Sequence, residues 1–168
     1  MSEEPWLRGP VEGVIAELQP VAHELLFAQE DLARIFETLT DEQVWQTPNG
    51  AASIAYHVRH NAGSTLRMLT YARGEALTDE QFAMRRAESE HDDNIGAADL
   101  LRIANHAIER AMLFVRSIQD HTKLDDERLV GRKRIVSNVR GLLYEIAIHT
   151  SRHVGQIATT ARVVGPAS

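Results

Sequence analysis

Cysteine is absent from this sequence of 168 residues. Its absence excludes disulfide bonds, thiolate metal sites, iron–sulfur clusters and a cysteine nucleophile within the chain. No apolar run approaches the roughly 20 residues that a transmembrane helix requires. The first residues, Met1-Ser2-Glu3-Glu4-Pro5, are acidic and contain no apolar segment of the kind found in secretory signals. We therefore expect a cytoplasmic protein that has no membrane partner.

Positive charge is also scarce, because 18 Lys and Arg residues stand against 24 Asp and Glu residues and the formal net charge is −6. Proteins that bind nucleic acids are usually basic, so we predict no nucleic-acid partner. One basic cluster, Arg132-Lys133-Arg134, follows Gly131. We interpret it as a solvated loop before a helix, in preference to a site for polyanions.

Apolar residues make up 43% of the chain, and most of them fall into helical stripes with spacings of three and four. A chain of this length suits one domain, residues 1–168, with a core of its own. The stripes predict four long helices, near 20–39, 53–73, 96–120 and 138–164. The fold class is therefore all-α, a four-helix bundle with long connections between its helices.

The connections carry weaker signals. The charged stretch 75–94 is compatible with one short helix near 79–87, and Gly165-Pro166 is a strong terminator for the last long helix. No segment alternates like a strand for more than a few residues, so we predict no sheet.

Two of the eight histidines, His149 and His153, occupy positions of the fourth helix where the stripe would place core side chains. A spacing of four puts both imidazoles on one face of the helix. A buried imidazole needs a hydrogen-bond partner or a metal ion. The pattern leaves both interpretations open: two core histidines bonded to neighbouring carbonyls, or two ligands of one metal ion.

The second helix carries two further histidines, His57 and His60, which are one turn apart. A third imidazole from this helix would complete a three-nitrogen site, which leaves a position for water or substrate as catalytic sites do. Glu145 lies four residues before His149 and is compatible with a fourth ligand, a base or a residue that orients a ligand. It is equally compatible with a surface glutamate at the edge of the stripe, which we favour.

The segment from Leu39 to Tyr71 resembles the DinB/YfiT-like family. The resemblance rests on Leu-Thr-Asp-Glu-Gln, a Trp, Pro-Asn-Gly, and Ser-Ile-Ala with a histidine seven residues after the serine, here His60. The fourth helix carries His149-x-x-x-His153-x-Gly155-Gln156-Ile157, which is similar to the second metal motif of the family.

The resemblance implies a four-helix bundle, often a homodimer, in which His60, His149 and His153 bind one divalent metal ion. Zinc is the first expectation, with nickel, iron and manganese as alternatives, because the spacing of imidazoles does not choose among metals. His57 is an extra histidine one turn before His60, the histidine that matches the motif. We expect His57 to support a metal ligand through a hydrogen bond or to contact the substrate. Gln156 is a residue of the motif to which no role can be assigned from the sequence.

The resemblance also implies an enzyme that acts on a small molecule, although no catalytic residue can be named. Relatives include thiol S-transferases that use low-molecular-weight thiols and proteins described as metal-dependent hydrolases. We expect thiol transfer to an electrophile first and metal-assisted hydrolysis second, because Glu145 is the only general base that helix spacing suggests. The alternative is a non-catalytic, stress-related protein that binds a metal or a small ligand.

Overall fold

The structure, a computed structural model, describes residues 3–165. It contains five α-helices and one β-hairpin within that range. Their bounds are α1 Gln19–Phe36, α2 Ile54–Ala72, α3 Asp79–Ala87, α4 Ala97–Ser117, β1 Glu127–Val130, β2 Ile135–Asn138 and α5 Val139–Val164. Single turns of 3₁₀ helix lie at Pro5–Arg8, Ala16–Leu18, Gln43–Trp45, Pro48–Gly50 and His121–Asp125.

The four long helices form the predicted bundle. α2 packs against α5 and α4, and α1 packs against the same two helices, so α1 and α2 lie on opposite corners. α2 and α5 are antiparallel, because His57 of α2 contacts His153 of α5 and Asn61 contacts Thr150. This pairing of α2 with α5 brings the four central histidines to one level of the bundle.

The core consists of the apolar stripes that face inward from these helices. Leu25 and Leu32 of α1 lie seven residues apart, two helical turns, and both are almost fully buried. Leu100 of α4 and Ile146 of α5 are also fully buried. Burial of each such side chain contributes about 1.5–3 kcal/mol to stability.

Capping residues explain where α2 and α3 begin. The Ser53 side chain accepts a hydrogen bond from the Tyr56 backbone N–H, which satisfies one of the unpaired donors of the first turn of α2. Thr78 and Gln81 form a reciprocal capping box at the start of α3. Gln81 also donates to Thr70 of α2, so the predicted short helix is present and packs along α2.

The prediction of no sheet is wrong at the connection before α5. β1 and β2 pair antiparallel, with Val130 opposite Ile135, around a turn in which Gly131 and Arg134 have positive φ. Each strand has only four residues, which is too short for an alternation to stand out in the sequence. The hairpin leads directly into α5, whose first turn is capped by the Asn138 side chain.

The predicted ends of the chain are only partly described. α5 ends at Val164 and Gly165 follows with positive φ, as expected of a terminating glycine. Pro166 of the predicted terminator, and residues 1, 2, 167 and 168 of the predicted domain, lie outside the described residues. None of the helices within 3–165 combines the length and the apolar character needed to cross a bilayer.

Candidate metal centre

Three histidines from two helices converge on one point between α2 and α5. His149 and His153 lie one turn apart on α5, and the antiparallel packing places His60 of α2 opposite them. One ring nitrogen from each of the three lies within 4.8 Å of the others. We call this group the histidine trio. Its geometry is compatible with one metal ion, which binds imidazole nitrogen at about 2.0–2.1 Å in the case of zinc.

The hydrogen bonding of His149 tests whether the trio fits a metal ion. Its Nε2 atom is buried and has no hydrogen-bond partner within residues 3–165. A buried nitrogen left unpaired costs about 1–3 kcal/mol, so such atoms normally have a partner. A cation between the three rings would satisfy it, and the residues present therefore fit a metal.

His60 is held in place by a buried carboxylate. Its Nδ1 lies 2.8 Å from Oε2 of Glu88, which follows the last residue of α3 and is 6% exposed. The other oxygen of Glu88 accepts a hydrogen bond from the guanidinium of Arg67, which lies seven residues, about two helical turns, after His60 on α2. Because an ionised carboxylate can only accept, Nδ1 of His60 donates this hydrogen bond, which leaves Nε2 as the ring nitrogen that faces no carboxylate and can bind an ion.

Gly63 allows Glu88 to approach α2 this closely. A Cβ atom at position 63 would fall well inside van der Waals contact with Oε1 of Glu88 and 2.8 Å from Nη1 of Arg67. Gly63 lies one turn after His60, on the helix surface that Glu88 covers. The absence of a side chain there makes room for the contact between Glu88 and His60.

His57 lies behind the trio and is not part of it. It is buried, and its Nδ1 is 3.1 Å from Nδ1 of His153, so one ring donates to the other. A proton on Nδ1 of His153 leaves Nε2 of that ring free for an ion. The structure thus brings His60, the preferred histidine of α2, to the trio and gives His57 a contact with His153.

Burial favours the neutral form of His57, His149 and His153. Desolvation lowers the pKa of His153 to about 3, and the neighbouring histidines add to the shift. Burial is also the main cause of the lowered pKa values of His57 and His149. Neutral imidazole is the form that binds metals, so the lowered pKa values of His149 and His153 favour metal binding near pH 7.

Comparison with known proteins identifies the family of the chain and a solved structure with a similar fold. The sequence model of the DinB superfamily matches residues 24–157, which include both histidine-bearing helices. The chain belongs to the DinB superfamily. Its fold is similar to that of YfiT from Bacillus subtilis, with a TM-score of 0.65 and 16% sequence identity over 95% of this chain and 94% of that one. YfiT is described as a probable metal-dependent hydrolase with an unusual four-helix bundle topology. No curated protein has a significantly similar sequence.

Two further predicted site residues, Glu145 and Gln156, lie on α5 and are not part of the trio. Glu145 is exposed on α5, one turn before His149, and its negative charge raises the pKa of His149 against the effect of burial. Gln156 is exposed as well and makes no side-chain hydrogen bond within residues 3–165. The surroundings of Glu145 are compatible with a base near the trio, whereas Gln156 has no contact that indicates a role.

Several residues around the trio were not predicted from the sequence. Glu88, Arg67 and Gly63 form the support of His60, and the ring of Tyr56 stacks on His60 at 5.5 Å between centroids and 10° between planes. The position of Arg67 near His60 could have been predicted from the sequence, because a residue seven positions after His60 falls on the same helix face. The burial of Glu88 could not have been predicted from the sequence, since it depends on how α3 packs on α2.

Proposed function

We propose that His60, His149 and His153 bind one divalent metal ion and that the protein uses it as an enzyme acting on a small molecule. The observation that carries this proposal is the convergence of three ring nitrogens within 4.8 Å. One of them belongs to His149, whose Nε2 is buried and has no hydrogen-bond partner among the described residues. Zinc is the first candidate, and nickel, iron and manganese are the alternatives, because neutral imidazoles suit several divalent ions.

The ion, when bound, would act as a Lewis acid that lowers the pKa of a nucleophile, to about 7 for water in favourable sites. The protein residues orient the ligands. Glu88 fixes the ring of His60, and His57 fixes the ring of His153. Three protein ligands are typical of catalytic sites, because a further position stays open for substrate or water.

Hydrolysis of a small molecule is the reaction that we put first. The similar fold of YfiT, described as a probable metal-dependent hydrolase, supports it. Glu145 supports it as well, because its charge acts on His149 from a neighbouring turn and an exposed carboxylate can accept a proton from water.

Thiol transfer is the second candidate. Both oxygens of Glu88 are engaged, by His60 and by Arg67, so the carboxylate bonded to the trio is not free to act as a base. A thiol nucleophile needs less help from a base, because its pKa is far below that of water. The chain has no cysteine, so the sulfur would come from a low-molecular-weight thiol.

Metal content is the experiment that tests the proposal. Untagged protein should contain one divalent ion per chain by elemental analysis, and His153→Ala should abolish binding. His91→Ala is the control, because His91 is exposed and bonded to Asp93. Equal metal content in the wild type and in His153→Ala would refute the site. If the protein contains one metal ion per chain but turns over neither hydrolytic nor thiol-transfer substrates, we would conclude that it is a non-catalytic metal-binding protein.

A further inference from the structure

A second concave surface lies at the end of the bundle, between the end of α2, α3 and the hairpin. Its floor is apolar and partly aromatic, formed by Tyr71, Leu77 and Phe82, and its volume is about 720 Å³. Tyr71 lies eleven residues after His60 on α2, which is roughly 16 Å along the helix axis. This surface is therefore distinct from the histidine trio.

The rim of this surface is strongly basic. It carries two arginines of α3, Arg85 and Arg86, and two residues of the hairpin turn, Arg132 and Lys133. We call the floor and this rim together the basic groove. No acidic residue of the described chain is among those that line this groove, although the adjoining depression, which shares Tyr71 and Phe82 with it, carries Glu75 and Glu127.

The four cations of the rim also lack acidic partners elsewhere. None of them makes an ion pair within residues 3–165, whereas Arg73, Arg128 and Arg140 nearby each pair with a carboxylate. The guanidinium of Arg132 lies over the ring of Phe82 at 5.5 Å from its centroid, where an aromatic face holds it. Four like charges around one concave surface repel one another, in a chain whose net charge is −6.

The fold changes the interpretation of the hairpin cluster. In the sequence, Arg132-Lys133-Arg134 resembles a solvated loop. α3 brings Arg85 and Arg86 to the same groove from a distant part of the chain. The two arginines of α3 and the two cations of the hairpin turn therefore surround one apolar floor. Together they form a concave site, which a charged loop alone would not.

We propose that the basic groove binds a small molecule that joins a phosphate-bearing part to a flat apolar part. The planar forks of arginine match phosphate oxygens in pairs, and the aromatic floor suits a ring. A volume of about 720 Å³ lies within the range of small-molecule sites. A flat membrane surface could contact the basic rim but could not enter the groove to contact its apolar floor. A nucleic acid would extend beyond the groove and be repelled by the rest of the protein, whose net charge is negative. We therefore favour a small molecule.

Calorimetric titration of the full chain with ADP, pyrophosphate and adenosine tests this proposal. ADP should bind, more weakly at higher salt, and adenosine should bind at least about tenfold more weakly because it lacks the phosphates. The double variant Arg85→Gln/Arg132→Gln should weaken ADP binding by about tenfold or more. The control Arg110→Gln/Arg116→Gln removes the same charge from exposed positions of α4 and should bind ADP as the wild type does.

Several outcomes would overturn the proposal. These are the absence of binding by ADP and pyrophosphate at millimolar concentration, equal affinity for ADP and adenosine, or equal weakening in both double variants. Sedimentation with phosphatidylglycerol vesicles that ADP does not compete for would identify the groove as a membrane-binding surface instead. Lys133→Gln changes one exposed residue of the turn and should also weaken ADP binding, which tests the groove if the double variant fails to fold.

Discussion

Nδ1 of His60 lies 2.8 Å from Oε2 of Glu88, a buried carboxylate at the end of a helix that lies outside the four-helix bundle. The contact orients one ring of the trio through its Nδ1 atom. It also connects α3, which has no fully buried residue of its own, to the centre of the molecule. Support of a metal-binding imidazole by a carboxylate fixes the ring and raises its basicity.

The first prediction concerns Glu88. Glu88→Gln retains the shape of the side chain but removes the charge that holds His60 and Arg67. We expect metal affinity to fall by about 10- to 100-fold, measured by competition with a chelator of known affinity. Glu90→Gln is the control, because Glu90 is exposed and its hydrogen bonds within residues 3–165, to Arg59 and Ala87, use its backbone and not its side chain. Unchanged affinity in Glu88→Gln would show that the carboxylate does not support the site.

The second prediction concerns Gly63. Gly63→Ala places a methyl group against Glu88 and Arg67, so both must shift. We expect a loss of about 1–3 kcal/mol in the free energy of unfolding together with weaker metal binding. Gly155→Ala is the matched control on α5, because within residues 3–165 its added Cβ would meet nothing closer than 4 Å beyond the adjacent backbone of its own helix. It should stabilise the protein by about 0.4–1 kcal/mol in urea unfolding. Similar losses in both variants would contradict the packing argument.

The sequence predicts the histidines of the trio better than it predicts their support. His149 and His153 stand where the stripe of α5 would have apolar residues, so helical periodicity alone places them inside. Glu88 lies in a charged connection, and only the packing of α3 against α2 buries it. The same holds for Arg85 and Arg86, which meet the hairpin through tertiary contacts that no local pattern encodes.

The third prediction concerns acid stability. In the folded, metal-free protein the pKa of His153 is about 3, below the ordinary value of about 6.5 that it takes when unfolded. Between these two pH values His153 binds a proton in the unfolded chain but not in the folded one. Its contribution to the free energy of unfolding is therefore fully present above pH 6.5 and is lost as the pH falls towards 3. Urea unfolding of metal-free protein should show a lower free energy at pH 5 than at pH 7.5. The difference should shrink in His153→Gln, and an equal difference in both proteins would contradict the assignment to His153.

The fourth prediction concerns assembly, which we propose is a homodimer. An apolar depression of about 680 Å³ lies between α1 and α5, beside Ile148, which is 54% exposed, and Tyr144. Glu24 and Arg152 line the same depression, so a twofold contact could pair each with the other residue of the second copy. Light scattering should give twice the chain mass of 18.8 kDa. Ile148→Lys should give a monomer and Leu113→Lys, at an equally exposed position of α4, should not. A monomeric wild type would refute the proposal.

The last prediction separates the two candidate reactions through Glu145. If water is the nucleophile, a carboxylate near the trio must accept its proton, and Glu145 is the exposed acid whose charge already acts on His149. Glu145→Gln should then reduce hydrolytic turnover by about 100-fold or more while metal content stays at one ion per chain. If an external thiol is the nucleophile, the same variant should retain transfer activity, because a thiol gives up its proton near neutral pH without a strong base. Glu109→Gln, an exposed acid on α4, is the control for the loss of one negative charge. Unchanged hydrolysis in Glu145→Gln would remove Glu145 as the base, and absent hydrolysis together with thiol-transfer activity in both wild type and variant would favour thiol transfer.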